Sequence, residues 1–416
     1  MDTKGWDIIS VCSNNATNKY LKEYMIENEM QFYYKDGNIE LNLTFDPWQI
    51  TPGGLEKLLR FKAPVKEGKL KINNSNINID GICPVIEVQL NFVNNDLVFN
   101  FLVKGKRPGD RTNGAVTIID VDSNGKFESG SAVHDELMKA LPELLIKNKE
   151  KIPYIFANLN QLTEEWMKHK QSRYAYIEPT SDNKDGYLAI FSVVNDKVII
   201  NLLLSVDTNM LDSTDDTLLI MSERLFLENI IIPILPKVFG NNSTASDFCI
   251  EATSDVTGYI RNSKNIECSP FKLGSKWYHP IWESVAIKIE DDRLGLSGYG
   301  KCDITGFTDT SVVFSTHGVF ESYHSKSRDT IEFHEYSHSD IDTTVHIPWC
   351  YWTYTDVEAV TASVRDAVSD QIKDLLENKF NSHISKVSKS VHWNKEVVKN
   401  NDCILDVGLC IKGNIR

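Results

Sequence analysis

The spacing of hydrophobic residues changes several times along the chain, and each change predicts a different kind of element. Residues 13–29 place apolar side chains at helical intervals behind Ser13, a residue type that caps helices well, so they predict a helix. Residues 31–122 instead alternate with the period of two that is typical of half-buried strands. Within them, two alternating runs in residues 86–105 meet at an Asn-Asn pair, which predicts a β-hairpin.

The hairpin pattern recurs further along the chain. Residues 191–204 match residues 90–103 with apolar positions opposite apolar positions, and residues 284–298 show a third hairpin of the same form. This recurrence suggests an internal duplication. We therefore expect two similar units, with residues 1–210 forming the first and residues 211–416 forming the second.

Two segments carry apolar faces wide enough to predict long amphipathic helices. Residues 215–232 are apolar over most of their circumference and end before Pro233. The residues after Asp356 carry a continuous stripe of aliphatic side chains at helical spacing. Residues 131–168 are also mostly helical in pattern, with a first break at Pro142. Helices that alternate with blocks of antiparallel hairpins predict the α+β class.

Length and composition limit what the chain can be. Its 416 residues are too many for one ordinary core, and a content of 41% hydrophobic and 25% charged residues is typical of globular proteins. The formal net charge of −14 at pH 7 argues against binding nucleic acid through the overall field of the protein. We therefore expect either two domains or one elongated body with two cores, and no nucleic-acid partner.

The start of the chain lacks the apolar segment of a secretory signal peptide, because MDTKGWDIIS mixes charged and apolar residues. No run in the sequence approaches the roughly 18 apolar residues that a membrane-spanning helix needs. We expect a protein that is cytoplasmic as made, in which the eight scattered cysteines are reduced thiols.

Residues 334–338 (HEYSH) match the H-E-x-x-H signature of zinc peptidases, in which two histidines share a Zn²⁺ and the glutamate acts as general base. Glu358 has the spacing of a third ligand. The flanking residues, however, alternate in the manner of a strand. Histidines four residues apart on a strand are separated by about 13 Å, too far to share one zinc ion. We therefore predict no metal site and no catalytic residues, and zinc peptidase activity is the least favoured alternative.

A basic turn, KGKRPGDR at residues 104–111, interrupts an otherwise acidic chain. One explanation is a charged loop that keeps the end of a sheet soluble. The other is that Lys104, Lys106 and Arg107 contact an anionic lipid headgroup or an acidic partner protein.

Several stretches together resemble a known family. The segments GWDIISVCS (5–13), YLKEY (20–24), FDPWQI (45–50) and LLIMSERLFLENIIIPIL (218–235) are similar to those of the OrfX-class accessory proteins, including the 47-kilodalton group, encoded beside botulinum-type neurotoxins in clostridia. The resemblance implies a tubular lipid-binding (TULIP) fold, in which curved antiparallel sheets wrap around long helices and the seam can hold lipid chains. It implies no catalytic residues.

The resemblance leads to a functional hypothesis. We expect a non-enzymatic accessory protein that binds lipid, a phospholipid membrane surface or other proteins of the toxin cluster, needs no cofactor besides such a lipid, and is released with the toxin. A lipid lumen would be lined by apolar residues of the two long helices, namely Leu218, Met221, Leu225, Phe226, Val360, Val364 and Val368. The alternative is a closed protein–protein scaffold that holds no lipid.

Overall fold

Antiparallel strands make up most of the fold. A computed structural model describes residues 3–159, 164–179, 185–207, 211, 214–239, 243–304, 310–325, 330–346, 354–377, 390–394, 398–406 and 408–415. The elements of the first half are β1 Ile8–Ser13, α1 Asn14–Glu27, β2 Gln31–Asp36, β3 Ile39–Phe45, β4 Gln49–Leu55, β5 Leu58–Lys62, β6 Val65–Ile72, β7 Ser75–Asn78, β8 Cys83–Val93, β9 Asp96–Asn100, β10 Val103–Lys104, β11 Ala115–Asp122, α2 Ala132–Lys147, β12 Ile155–Leu159, β13 Gln171–Ile177 and β14 Tyr187–Val193.

The second half continues in the same style, with one further long helix. Its elements are β15 Thr217–Ser222, α3 Glu223–Phe226, α4 Leu235–Phe239, β16 Phe248–Ala252, β17 Gly258–Asn262, β18 Ile266–Glu267, β19 Phe271–Leu273, β20 Lys276–Tyr278, β21 Ile281–Glu290, β22 Arg293–Asp303, β23 Ser311–Ser325, β24 Thr330–His346, α5 Tyr354–Glu377, β25 Val391–Trp393, β26 Val398–Leu405 and β27 Gly408–Ile415. A π-helical turn, Leu227–Ile231, and a 3₁₀ turn, Ile232–Ile234, connect α3 to α4.

Three large sheets, a smaller outer sheet and a two-stranded sheet, β19-β20, organise these strands. The central sheet has the order β13-β14-β1-β15-β27-β26. A second sheet runs β10-β11-β8-β9-β12-β25 and is extended by β5 and β4, and a third runs β16-β17-β21-β22-β23-β24. The outer sheet has the order β2-β3-β6-β7. The fold is thus sheet-rich α+β, which confirms the predicted class.

The central sheet combines strands from both ends of the chain. Strands β1, β13 and β14 precede residue 210, whereas β15, β26 and β27 follow it. Residues 208–210 lie outside the described part of the chain. The division into two similar units at 210/211 therefore stays a prediction.

Local patterns correctly predicted several elements. Ser13 caps α1 by accepting a hydrogen bond from the Ala16 amide at 3.1 Å. The hairpin β8–β9 turns at Asn94 and Asn95, whose positive φ angles of 49° and 74° suit a tight hairpin turn. Strands β21 and β22 pair as the predicted third hairpin. Pro142, in contrast, lies inside α2 and does not break it.

The predicted hairpin at residues 191–204 is wrong in its second half. Strand β14 pairs with β13 on one side and with β1 on the other, so it has no free edge for a hairpin partner. The chain after β14 instead forms an extended loop, residues 194–207, which we call the strap. Ile199, Leu202 and Leu204 of the strap pack against the outer face of the central sheet.

The long helix predicted for residues 215–232 is also wrong. Its first part is β15, which pairs with β1 and β27 and is buried at all six positions. A strand covered on both faces shows a continuous apolar run, which periodicity cannot distinguish from a buried helix. Only short helical turns follow it. Long helices wrapped by sheets are therefore not the organising feature of this fold, although α5 forms where the second helix was predicted.

Side chains on opposite faces of β15 enter different cores. Leu218 and Ile220 join a small cluster under the strap. Leu219 and Met221 join a larger cluster between the central sheet, the third sheet and α5. A further large core lies around α1, α2 and the second and outer sheets. The central sheet therefore separates apolar layers on its two sides.

Candidate functional site

The basic turn is built on a buried ion pair. Glu87 of β8 and Arg60 of β5 are register partners, and their Oε2 and Nε atoms lie 3.0 Å apart. The Glu87 side chain is only 2% exposed, and its Oε1 accepts a hydrogen bond of 2.6 Å from the Gly109 amide. This hydrogen bond fastens residues 105–114, which we call the basic loop, to the sheet. The Gly109 amide in turn solvates the buried Glu87 carboxylate.

Asp110 holds the tip of the basic loop in shape. Its carboxylate accepts hydrogen bonds from the Lys106 amide at 2.8 Å and the Thr112 amide at 2.9 Å. These backbone donors stabilise the charged form and lower the pKa of Asp110 to about 2. The Gln89 amide nitrogen adds a bond of 3.0 Å to the Thr112 carbonyl oxygen. The loop is therefore a defined structure at neutral pH.

The three predicted headgroup residues do not behave alike. Lys104 directs its ammonium group to the Lys139 carbonyl oxygen of α2 at 3.1 Å. Lys106 and Arg107 are exposed, and neither side chain has an ion-pair or hydrogen-bond partner among the residues that the structure describes. Leu102 and Val103, just before them, are 45% and 41% exposed. Two unpaired cations thus stand beside two exposed aliphatic side chains.

The structure brings together six of the seven predicted lumen residues. Members of one core are Met221, Leu225, Phe226, Val360, Val364 and Val368. Leu218 points to the opposite face of β15 and belongs to another core. The exposure of these side chains ranges from 0% to 7%. The seam between β15, the following turns and α5, which we call the apolar seam, is filled by these side chains.

A polar cavity at the end of β15 was not predicted from the sequence. It encloses about 290 Å³ and is lined by Asp7, Trp166, Val194, Asn195, Ser222, Arg224, Leu225, Glu228, Asn229 and Asp255. Asp7 is buried, accepts from the Val194 amide at 2.9 Å and pairs with Lys197 at 2.6 Å. These residues come from segments far apart in sequence, so no local pattern could have grouped them.

The HEYSH residues lie on β24, which pairs with β23, so the predicted strand is confirmed. Across the described ranges, no group of three or more His, Cys, Asp or Glu residues is arranged to hold a metal ion.

Burial raises the pKa of the Cys12 and Cys410 thiols to about 12, which makes them poor nucleophiles at neutral pH. Within the same ranges, no helix is both long and apolar enough to cross a membrane.

Comparison with known proteins places the chain in a family. Residues 3–392 match the family model described as OrfX-like: Protein OrfX2/OrfX3/P47. The chain is 31% identical to Protein P47 of Clostridium botulinum (strain Kyoto / Type A2), with 100% of both chains covered. It is 23% identical to Protein OrfX3 of the same strain, over 57% of this chain and 55% of that relative.

Solved structures agree with this relationship. The structure of P47 from Clostridium botulinum A2 superposes with a TM-score of 0.83 at 30% identity, covering 100% of this chain and 98% of that one. P47 of Clostridium botulinum E1 also gives a TM-score of 0.83, at 28% identity and with 99% of both chains covered. The resemblance to the OrfX-class accessory proteins is therefore confirmed, and the chain belongs to the OrfX/P47 family.

Proposed function

We propose that this chain is a non-enzymatic accessory protein of a clostridial neurotoxin cluster, and that it acts by binding an anionic lipid surface through the basic loop. Family membership supports the accessory role. The main support for the lipid contact is that Lys106 and Arg107 have no ion-pair partner in the described part of the chain. Both lie on a loop that Glu87 fastens to the sheet.

The proposed contact depends on electrostatic attraction over short distances. Each basic residue near an anionic membrane contributes about 1 kcal/mol to binding. The net charge of −14 opposes approach, but charges beyond a Debye length of about 8 Å are largely screened at physiological ionic strength. Binding therefore requires the basic loop to face the surface. Leu102 and Val103, which are exposed just before the loop, would then be available for apolar contact.

Vesicle flotation tests this contact. We expect binding to vesicles of phosphatidylcholine with phosphatidylserine, and none to vesicles of phosphatidylcholine alone. The double substitution Lys106→Glu with Arg107→Glu should weaken binding at least ~30-fold, because it removes about 2 kcal/mol of attraction and adds repulsion. The matched control replaces Lys22 and Lys149, two exposed lysines elsewhere on the surface, with glutamate. An equal loss in both double variants would show that only net charge matters and would refute the site.

A second candidate function follows from the filled apolar seam. Side chains that are at most 7% exposed leave the seam closed, which favours a scaffold that contacts other proteins of the toxin cluster through its exterior. Native mass spectrometry of the untagged protein separates this scaffold from a lipid carrier. A bare polypeptide mass supports the closed scaffold, whereas an added mass of several hundred daltons that extracts into organic solvent supports a lipid-filled seam.

A further inference from the structure

A short hairpin stands apart from the large sheets. Its strands, β19 and β20, form a two-stranded sheet of their own. Gly274 lies in the turn between them with a φ angle of 62°, a conformation that suits glycine. At the base, the Cys268 amide donates a hydrogen bond of 2.8 Å to the Pro280 carbonyl oxygen. We call residues 271–278 the Trp hairpin.

The inner face of the Trp hairpin packs on a core. Phe271 and Tyr278 are register partners, and their stacked rings lie 5.3 Å apart. Tyr278 is buried in the core that contains the apolar seam, and Phe271 and Leu273 are partly buried against the same core. A two-stranded hairpin is only marginally stable alone, so these contacts fix its position on the protein.

The outer face carries a tryptophan and a lysine side by side. Lys272 and Trp277 are directly opposite each other in the register. Because side chains alternate between the two faces of a strand, both point away from the core. Lys272 is exposed, and Trp277 is 54% exposed. A solvated strand face is usually polar, so an outward tryptophan needs an explanation.

Trp277 differs from the other tryptophans in the described part of the chain. Four of them are at most 2% exposed, namely Trp6, Trp48, Trp282 and Trp393. Trp166 is partly buried against a core. Within the described ranges, Trp277 is therefore the one tryptophan that leaves most of its side chain in water. Its apolar surface is available to a partner.

The Trp hairpin is locally basic in an acidic protein. Residues 268–282 include Lys272 and Lys276 but no aspartate or glutamate, whereas the whole chain has a net charge of −14. Lys272 has no ion-pair partner among the residues that the structure describes. Glu283, which follows this segment, pairs with Lys301 at 3.1 Å. The charge of the hairpin therefore complements an anionic surface.

The size of the outer face favours a membrane over a protein partner. A stable protein–protein interface buries about 800 Å² on each side. One tryptophan side chain supplies only about 150–250 Å² in total, and more than half of Trp277 is exposed. A membrane needs no such area, because tryptophan rings are favoured at the level of the lipid headgroups and lysines are attracted to anionic lipids.

We propose that the Trp hairpin anchors the protein to an anionic phospholipid membrane. Trp277 enters the headgroup region, Lys272 contacts lipid phosphates, and Lys276 adds positive charge beside the turn. This contact has the same class of partner as the proposed function but uses different residues on a different sheet. Either contact can therefore fail while the other holds.

Tryptophan fluorescence of the full chain tests the anchor. The probes are vesicles of phosphatidylserine with phosphatidylcholine that is brominated near the headgroup, since bromine quenches tryptophans that enter the lipid. Matched vesicles without bromine provide the reference. We expect quenching of the unmodified protein. Trp277→Phe, compared at an equal bound fraction, should lose most of it, because the other described tryptophans are buried or partly buried.

Vesicle flotation measures what the anchor contributes to affinity. Trp277→Ala should weaken binding to phosphatidylserine-containing vesicles at least about tenfold, because about half of a tryptophan side chain no longer enters the lipid. Tyr33→Ala is the matched control, since Tyr33 is 47% exposed on another sheet, and it should bind like the unmodified protein. Should Trp277→Ala fail to fold, Lys272→Glu still reports on the hairpin, and it should also weaken binding.

The outcomes separate this anchor from the basic loop. Binding that is lost in Lys106→Glu with Arg107→Glu, without quenching of Trp277, would overturn the anchor and leave the basic loop in place. Binding that is lost in Trp277→Ala but kept in the double variant would support the anchor alone. Self-association that depends on Trp277, without quenching by vesicles, would assign this face to contact between copies of the chain and overturn the anchor.

Discussion

His169 Nε2 donates a hydrogen bond of 3.2 Å to the carbonyl oxygen of Ser390, which lies 221 residues further along the chain. The His169 side chain is largely buried, and burial lowers the pKa of this imidazole to about 4, despite the hydrogen bond that favours the charged form. In the folded protein, a neutral His169 therefore contacts the segment that leads into β25.

This histidine predicts a loss of stability in acid. The unfolded chain takes up the proton near pH 6.5 and the folded protein only near pH 4, so stability falls as the pH drops through this interval. We expect a loss of the order of 2–3 kcal/mol between pH 7 and pH 4 from this group. His169→Gln keeps a donor without a titrating group and should flatten this part of the profile.

The control for the acid effect is His317→Gln, because His317 is exposed on β23. Urea unfolding midpoints at pH 7, 5.5 and 4.5 provide the measurement. Parallel profiles for the unmodified protein and His169→Gln would contradict the assignment.

Glu87 should control both stability and the shape of the basic loop. Glu87→Ala leaves Arg60 without its partner and the Gly109 amide without its acceptor, so we expect a loss of about 3 kcal/mol in the free energy of unfolding. Hydrogen exchange at residues 105–114 should accelerate at the same time. Glu29→Ala, which breaks an exposed pair with Lys66, should change stability by less than about 1 kcal/mol. Unchanged exchange in Glu87→Ala would show that the loop holds its shape independently.

Phe226 tests whether the apolar seam is packed. Its side chain is fully buried with Met221 and Val364 in the same core, so Phe226→Ala should lower the free energy of unfolding by about 3–5 kcal/mol. Leu203→Ala is the comparison, since Leu203 is 63% exposed and its truncation should change stability by less than about 0.5 kcal/mol. Similar urea midpoints for the two variants would argue that Phe226 faces open space.

Trp6 should fasten the strap. Its Nε1 donates a hydrogen bond of 2.8 Å to the Leu203 carbonyl oxygen, and its ring lies 5.6 Å from that of Phe191. Trp6→Phe removes the donor and part of a fully buried ring, so it should lose about 2 kcal/mol, partly through local opening of residues 198–206. Hydrogen exchange or limited proteolysis would detect the opening. Equal protection of the strap in both proteins would show that its apolar contacts suffice.

Part of the candidate site was visible in the sequence. The cluster of Lys104, Lys106 and Arg107 was apparent in one short segment. The sequence could not show that Lys104 turns to the Lys139 carbonyl oxygen, because α2 approaches only in the folded protein. Nor could it show that Glu87, about twenty residues earlier, fastens the loop. The polar cavity beside Asp7 had no local signal at all.

The sequence by itself determined the elements whose signals are local. The Ser13 cap of α1, the hairpins at 86–105 and 284–298, and the aliphatic stripe of α5 all depend on neighbours within a few residues. Tertiary structure decided the identity of residues 215–232 and of the strap. An apolar run forms a strand only where partners such as β1 and β27 make hydrogen bonds to its backbone. Strand β14 cannot form a second hairpin because β1 and β13 already pair with both of its edges.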